Sequence, residues 1–165
     1  MSSISEIFLF FFDSYWEYEK PLDHMTDSKR RVLRRRGTIT QYGLSSSLAG
    51  MDAVFTWHRN KKTYIFKGSQ YWRYNDANRR LDGGYPKLIE RGWPDLPANL
   101  DAAVTWSNTR SYVFKGNNYW RLSTHSLDRK VYADNGYPRE VAKIWMKCKT
   151  ESVSALQIGA LQQDP

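Results

Sequence analysis

The chain has 165 residues, 41% of them hydrophobic, enough for one ordinary domain or a few small repeated units around a core. That content excludes a disordered polypeptide, and an aromatic share of 15%, with seven Trp and eleven Tyr, favours an all-β chain because flat rings pack well on a pleated surface. The formal net charge of +8 points to anionic partners, and a single cysteine, Cys148, excludes an internal disulfide.

The first apolar run, residues 7–12 (IFLFFF), lies between Glu6 and Asp13 and is too short to cross a bilayer. It has neither the basic lead nor the small-residue cleavage site of a secretory signal, so it reads as a strand. Residues 8–18 (FLFFFDSYWEY) align without gaps on residues 64–74 (YIFKGSQYWRY), which places Phe10 with Phe66 and Tyr15-Trp16 with Tyr71-Trp72. By that alignment the strand preceding this copy is expected to lie before Met1.

Residues 20–36 hold seven Lys and Arg against Asp23 and Asp27, a local balance of 7 − 2 = +5 that leaves +3 for everything else. The basic character is therefore assigned mainly to residues 29–36 (KRRVLRRR), read as an enlarged and solvated outer loop. A polyanion contact through Arg30, Arg31, Arg34, Arg35 and Arg36, or a protease-sensitive loop, are the sharper alternatives. Residues 19–51 use 33 positions where the next copy uses 26, residues 75–100.

Two complete copies follow. Residues 51–57 (MDAVFTW) recur as residues 100–106 (LDAAVTW), residues 64–74 recur 48 positions later as YVFKGNNYWRL, and GGYPKLIERGW recurs as NGYPREVAKIW. A period of about fifty residues marks stacked supersecondary units, none able to bury its apolar faces alone. Ala53, Phe55 and Trp57 alternate with Val54 and Thr56, a period of two that means strand. HRNKK and SNTR supply the first turn of each copy, and KGSQ with its counterpart KGNN supplies the second, where Gly68 and Gly116 give the freedom that a tight hairpin needs. Four short strands, apolar on both faces, describe a propeller blade held between neighbours. Pro86 and Pro138 are expected to open a short helix or turn on the outer rim.

These motifs, D-A-x-x-x-W, Y-x-F-K-G-x-x-Y-W-R and G-Y-P with a short helical stretch, occur in order and twice, and the pattern from Phe8 to Cys148 resembles the hemopexin-like repeats of matrix metalloproteinases. The ending GYPREVAKIWMKC looks like the close of the last blade in membrane-type members. The resemblance implies an incomplete four-bladed β-propeller of about two and a half to three blades: residues 1–50 a partial blade two, 51–99 blade three, 100–148 blade four, and 149–165 a tail without order. It implies that Cys148 is the closing half of a disulfide whose partner is absent from the chain, and that the upstream peptidase domain is missing. With fewer than four blades, aromatic blade faces are expected to open to water or to another chain.

The resemblance also implies calcium in the central channel, held by main-chain carbonyls at Asp52, Val54, Asp101 and Ala103. Carbonyl oxygens suit that hard cation, although the two aspartates equally suit turns that they satisfy with their side chains. Zinc would belong only to the absent peptidase domain, because His24, His58 and His125 are isolated and no H-E-x-x-H occurs. No catalytic residue is expected, and a Cys148–His125 nucleophile and base lacks an orienting group. The pairs Tyr71-Trp72 and Tyr119-Trp120 read as packing, and Lys67, Lys115, Arg73 and Arg121 as long stems covering blade edges.

By resemblance, then, the chain is expected to be an extracellular or cell-surface recognition module for matrix proteins and proteinaceous metalloproteinase inhibitors, with a capacity to form homodimers. The alternative is a basic fragment binding heparin-like glycans through its Arg-rich run. Nucleic acid is disfavoured because no aromatic residue interleaves that run, and haem carriage because the three histidines are scattered.

Overall fold

The computed structural model describes residues 6–11, 13–19, 33–41, 43–106, 108–127 and 130–147. His24, Arg30, Arg31, Cys148 and the tail from residue 149 lie outside the described residues. Three antiparallel sheets follow one another along the chain, and among the described residues helix is confined to short turns.

The first sheet contains β1 (Glu6–Phe11), β2 (Ser14–Glu19) and β3 (Leu33–Thr38), in that order. Phe10 stands opposite Tyr15, as the alignment of the copies requires. The expected Arg-rich loop is corrected here. Arg34, Arg35 and Arg36 belong to β3, with Arg36 opposite Trp16 and Arg35 opposite Glu17. A run of charge suggests a loop by composition, yet a sheet's edge strand carries charge readily because one side of its backbone faces water.

A 3-10 turn, Ser46–Leu48, leads into the second sheet and is capped by the Ser45 hydroxyl, which accepts from Ser47 N. The sheet runs β4 (Ala53–Trp57), β5 (Lys62–Lys67), β6 (Gln70–Asn75), β7 (Arg80–Leu81), while β8 (Lys87–Leu88) pairs with the other end of β6. At the β4–β5 turn the Asn60 carboxamide accepts from Lys62 N and donates to the Tyr64 hydroxyl. Gly68, at φ +61°, takes the left-handed conformation in the β5–β6 hairpin.

The third sheet repeats the plan with β9 (Ala102–Thr105), β10 (Ser111–Lys115), β11 (Asn118–Leu127) and β12 (Lys130–Ala133), and β13 (Arg139–Glu140) pairs with β11. Asn108 and Tyr112 reproduce the Asn60–Tyr64 contact. In both copies the proline departs from its expected place. Pro86 and Pro138 follow cis bonds and precede the short strands β8 and β13; helix α1 (Ile89–Gly92) begins three residues after Pro86, and a π-helical turn, Val141–Trp145, three after Pro138. The chain first meets the free end of the neighbouring hairpin: Ile89 N donates to Ser69 O and Val141 N to Asn117 O.

The sheets stack face to face. Ala53, Phe55, Trp57, Tyr64, Phe66 and Tyr71 form one face of the second sheet and pack with Val113, Trp120, Leu122 and Val131 of the third. The opposite face, Val54, Ile65, Trp72, Tyr74 and Leu81, packs with Tyr15, Ile39, Leu44 and Leu48. Period two in each strand thus feeds two separate cores, and every fully buried aliphatic or aromatic side chain contributes roughly 1.5–3 kcal/mol. The inner strands β4 and β9 lie side by side, where the Thr105 hydroxyl donates to Thr56 O at 2.7 Å, and on the rim Ala133 N donates to Asp95. The result is an all-β stack of blades forming part of a propeller, with the second sheet as its inner member.

Candidate functional site

Three surfaces repeat from blade to blade and carry the chain's chemistry. The first lies where each inner strand begins. Asp52 accepts from Gly68 N at 2.7 Å, and Asp101 accepts from Gly116 N at 2.6 Å and from the Lys115 ammonium at 2.9 Å. Lys115, and after it the Gly116 N–H, hold the Asp101 carboxyl below the usual carboxylate range. The equivalent Lys67 instead donates to the carbonyls of Ser47 at 2.9 Å and Ala49 at 2.5 Å, tying the lead-in turn to β5. Both aspartates therefore close the second hairpin of their own blade.

Calcium takes six to eight oxygens. The two described inner strands offer the carbonyls of Asp52, Val54, Asp101 and Ala103, and both carboxylates are engaged by turn amides. Two strands do not fit the ion by themselves. Among the described residues, no group of three His, Cys, Asp or Glu is placed to hold a metal.

The second surface is the outer rim, and sequence reasoning understated it. Arg73 Nε donates to Asp82 at 2.6 Å, and Arg121 Nε to Asp134 at 2.6 Å. Burial acts against the charge of Arg73, but the Asp82 hydrogen bond outweighs it and its pKa is raised; for Arg121 the bond to Asp134 is the leading cause of the same shift. Two cations stand over each neighbouring tyrosine ring: Arg73 and Lys87 over Tyr85, Arg121 and Arg139 over Tyr137. The arginines are thus specific partners rather than general cover. The signal was present in the recurrence of Asp three residues before the Tyr of each G-Y-P.

Charge follows the same rim. Residues 51–147 hold 17 Lys and Arg against 9 Asp and Glu, 17 − 9 = +8, and the acidic residues 1–19 conceal this in the total. Asp82, Asp101 and Asp134 are spent on ion pairs within their blades, while Arg79, Arg80, Lys87 and Arg91 are exposed along one stretch of blade three. The basic character is therefore not mainly a property of the Arg-rich run. Of that run, Arg35 and Arg36 are exposed on β3, and only the backbone of Arg34 is described.

The third surface is the outer face of blade four. Trp145 packs edge-on against Trp106, Tyr112, Phe114 and Tyr119 at 4.9–5.8 Å, as Trp93 packs against Trp57, Tyr64, Phe66 and Tyr71 in blade three. Blade three is covered by its neighbour and blade four is not. Trp57 is 7% exposed and its counterpart Trp106 52%; Ile144 and Met146 continue the open patch. The Tyr-Trp pairs are packing elements, with Tyr71, Tyr119 and Trp120 buried and Trp72 partly so. His58 lies in the β4–β5 turn beside the Lys61 ammonium.

Comparisons with known proteins agree with this geometry. A family model described as Hemopexin matches residues 51–98 and 100–148. Matrix metalloproteinase-25 of Mus musculus is 42% identical over 110 residues, covering 67% of this chain and 17% of that protein, and the Homo sapiens protein of the same name is 44% identical over 70 residues, 42% of this chain and 12% of that protein. The chain thus spans less than a fifth of the length of these relatives. The crystal structure of hemopexin fold protein CP4 from cow pea superimposes with a TM-score of 0.69 at 22% identity, over 88% of this chain and 67% of that one, a likeness of fold alone. With the family model accounting for more than half its residues, each match falling on one of the two complete blades, the chain belongs to the hemopexin family.

Proposed function

We propose that this chain is a non-catalytic recognition module, the later blades of a hemopexin-like region from a matrix metalloproteinase, acting outside the cell or at its surface on matrix proteins and proteinaceous inhibitors. The observation that supports the reading most is the pairing of Hemopexin repeats with metalloproteinase relatives on a scaffold whose polar side chains serve turns and ion pairs. Within such a parent, zinc and peptidase activity belong to another domain, calcium is held only where further inner strands complete the ring of carbonyls, and Cys148 pairs with a cysteine beyond this chain. The broad blade faces and rim supply area for macromolecular contact. Interferometry with the folded chain immobilised, against fibrillar collagen, gelatin, fibronectin and tissue metalloproteinase inhibitors, is expected to give saturable binding to at least one. Folded protein that binds none of them at concentrations of about 100 µM, a range where even weak complexes show, would overturn the reading.

A second reading rests on the charge of the rim. Heparin-like glycans would be held by exposed Arg79, Arg80, Lys87 and Arg91, joined by Arg35 and Arg36 on β3 and by Arg30, Arg31 and Arg34 of the same run. Retention on heparin should fall steeply with salt. Replacing the four rim residues by Gln is expected to cost at least as much retention as replacing the five arginines of residues 30–36. Retention unchanged by either set would dismiss it.

A further inference from the structure

We propose that the first sheet accepts an extended peptide along β1 as an added antiparallel strand, and that the peptide it fits has the pattern of this chain's own inner strands. In the second and third sheets the strand corresponding to β1 has two neighbours, since β5 lies between β4 and β6, and β10 between β9 and β11. Among the described residues β1 pairs with β2 alone. The correspondence is set by register: Phe10 faces Tyr15 as Phe66 faces Tyr71 and Phe114 faces Tyr119.

The occupant's pattern and register follow. Ala53 faces Phe66, Val54 faces Ile65 and Phe55 faces Tyr64, while in the third sheet Ala102 faces Phe114 and Ala103 faces Val113. Transferred to β1, the incoming strand sets a small residue opposite Phe10, apolar positions opposite Leu9 and Phe8, and a tryptophan opposite Glu6. A second wall is already in place. The added strand would lie beside β4 as β4 lies beside β9, a spacing close enough for a side chain of one to donate to the backbone of the other. An unpaired edge is a template for main-chain hydrogen bonds, and alternate side chains make its selection specific. This inference does not depend on which macromolecules the rim or faces bind.

The test uses the full chain and a labelled synthetic peptide of residues 51–57 (MDAVFTW), with a scrambled peptide and two versions N-methylated at alternate positions. Only one alternate set of amides in an added strand points at its partner. Fluorescence anisotropy is expected to show saturable binding, with one methylated version about tenfold weaker and the other within about threefold of the parent, the difference that losing a few main-chain bonds makes. Hydrogen exchange should slow across residues 6–11 when the parent peptide is added. No saturable binding, equal binding by the scrambled peptide, equal effects of the two methylation patterns, or unchanged exchange in residues 6–11 would overturn the proposal.

Discussion

Replacing Trp93 and Trp145 by alanine separates what a blade gains from its own aromatics and what it gains from the next blade. The two tryptophans hold equivalent places. Trp93 meets the rings of Phe55, Trp57, Tyr64, Phe66 and Tyr71 at 5.1–6.0 Å, and Trp145 meets four rings at 4.9–5.8 Å. Trp93 is 1% exposed, within a core shared by two sheets, so Trp93→Ala leaves a cavity and is expected to cost about 3–5 kcal/mol. Against a total of about 5–15 kcal/mol, that loss brings the fold near its limit. Trp145 faces the open side, where water fills the space that it leaves, so Trp145→Ala should cost about 1–2 kcal/mol. Trp93→Phe supplies a control: Trp93 Nε1 has no hydrogen-bond partner among the described residues, so removing that donor offsets part of the lost volume and the cost should stay near 1 kcal/mol. Urea unfolding followed by far-ultraviolet circular dichroism measures all three. Equal losses for the two alanine variants, within about 0.5 kcal/mol, would refute the reasoning, because that difference exceeds the usual scatter of such free energies.

Gly92→Ala should destabilise by roughly 1–3 kcal/mol in the same assay, because a Cβ there would overlap the stiff, buried ring and hydroxyl of Tyr71; an unchanged midpoint would count against the α1 packing. Burial first, with neighbouring tyrosines second for Tyr71 and Asp76 second for Tyr74, pushes both phenols up to about 12. Folding therefore favours their neutral form, and the associated stability is whole below pH 10 and lost as pH rises from 10 to 12; thermal scans across that window should show the midpoint falling as tyrosinate absorbance appears. Asp101 has the opposite sign: its lowered pKa adds stability above the ordinary carboxylate value that disappears as pH falls through the folded one, so Asp101→Asn should flatten that acid limb. Asp52→Ala leaves Gly68 N without its acceptor and should cost about 1–2 kcal/mol by urea unfolding.

Much of the fold was legible because strands announce themselves by period two and repeats by recurrence. Phe55 and Trp57 against Val54 gave the two faces, and the gapless alignment of residues 8–18 on 64–74 gave the register of β1 on β2. What stayed hidden depends on pairing across distance. Arg34–Arg36 resembled a loop because composition does not say that an edge strand has one wet side. Pro86 and Pro138 suggested helix starts because nothing local reveals the free ends of β6 and β11 that capture β8 and β13. The Arg73–Asp82 and Arg121–Asp134 pairs span nine and thirteen positions, so only their repetition marks them. The rim charge was masked by averaging over an acidic first strand pair.

The claim on which these readings depend is that one repeat is buried or open solely according to whether a sister sheet lies over it. Trp57 and Trp106 are the same position of that repeat, at 7% and 52% exposure. Hydroxyl-radical footprinting of the folded chain, read by mass spectrometry, is predicted to oxidise Trp106 several-fold faster than Trp57. Comparable rates at the two indoles, in protein that still shows its native circular dichroism, would contradict it.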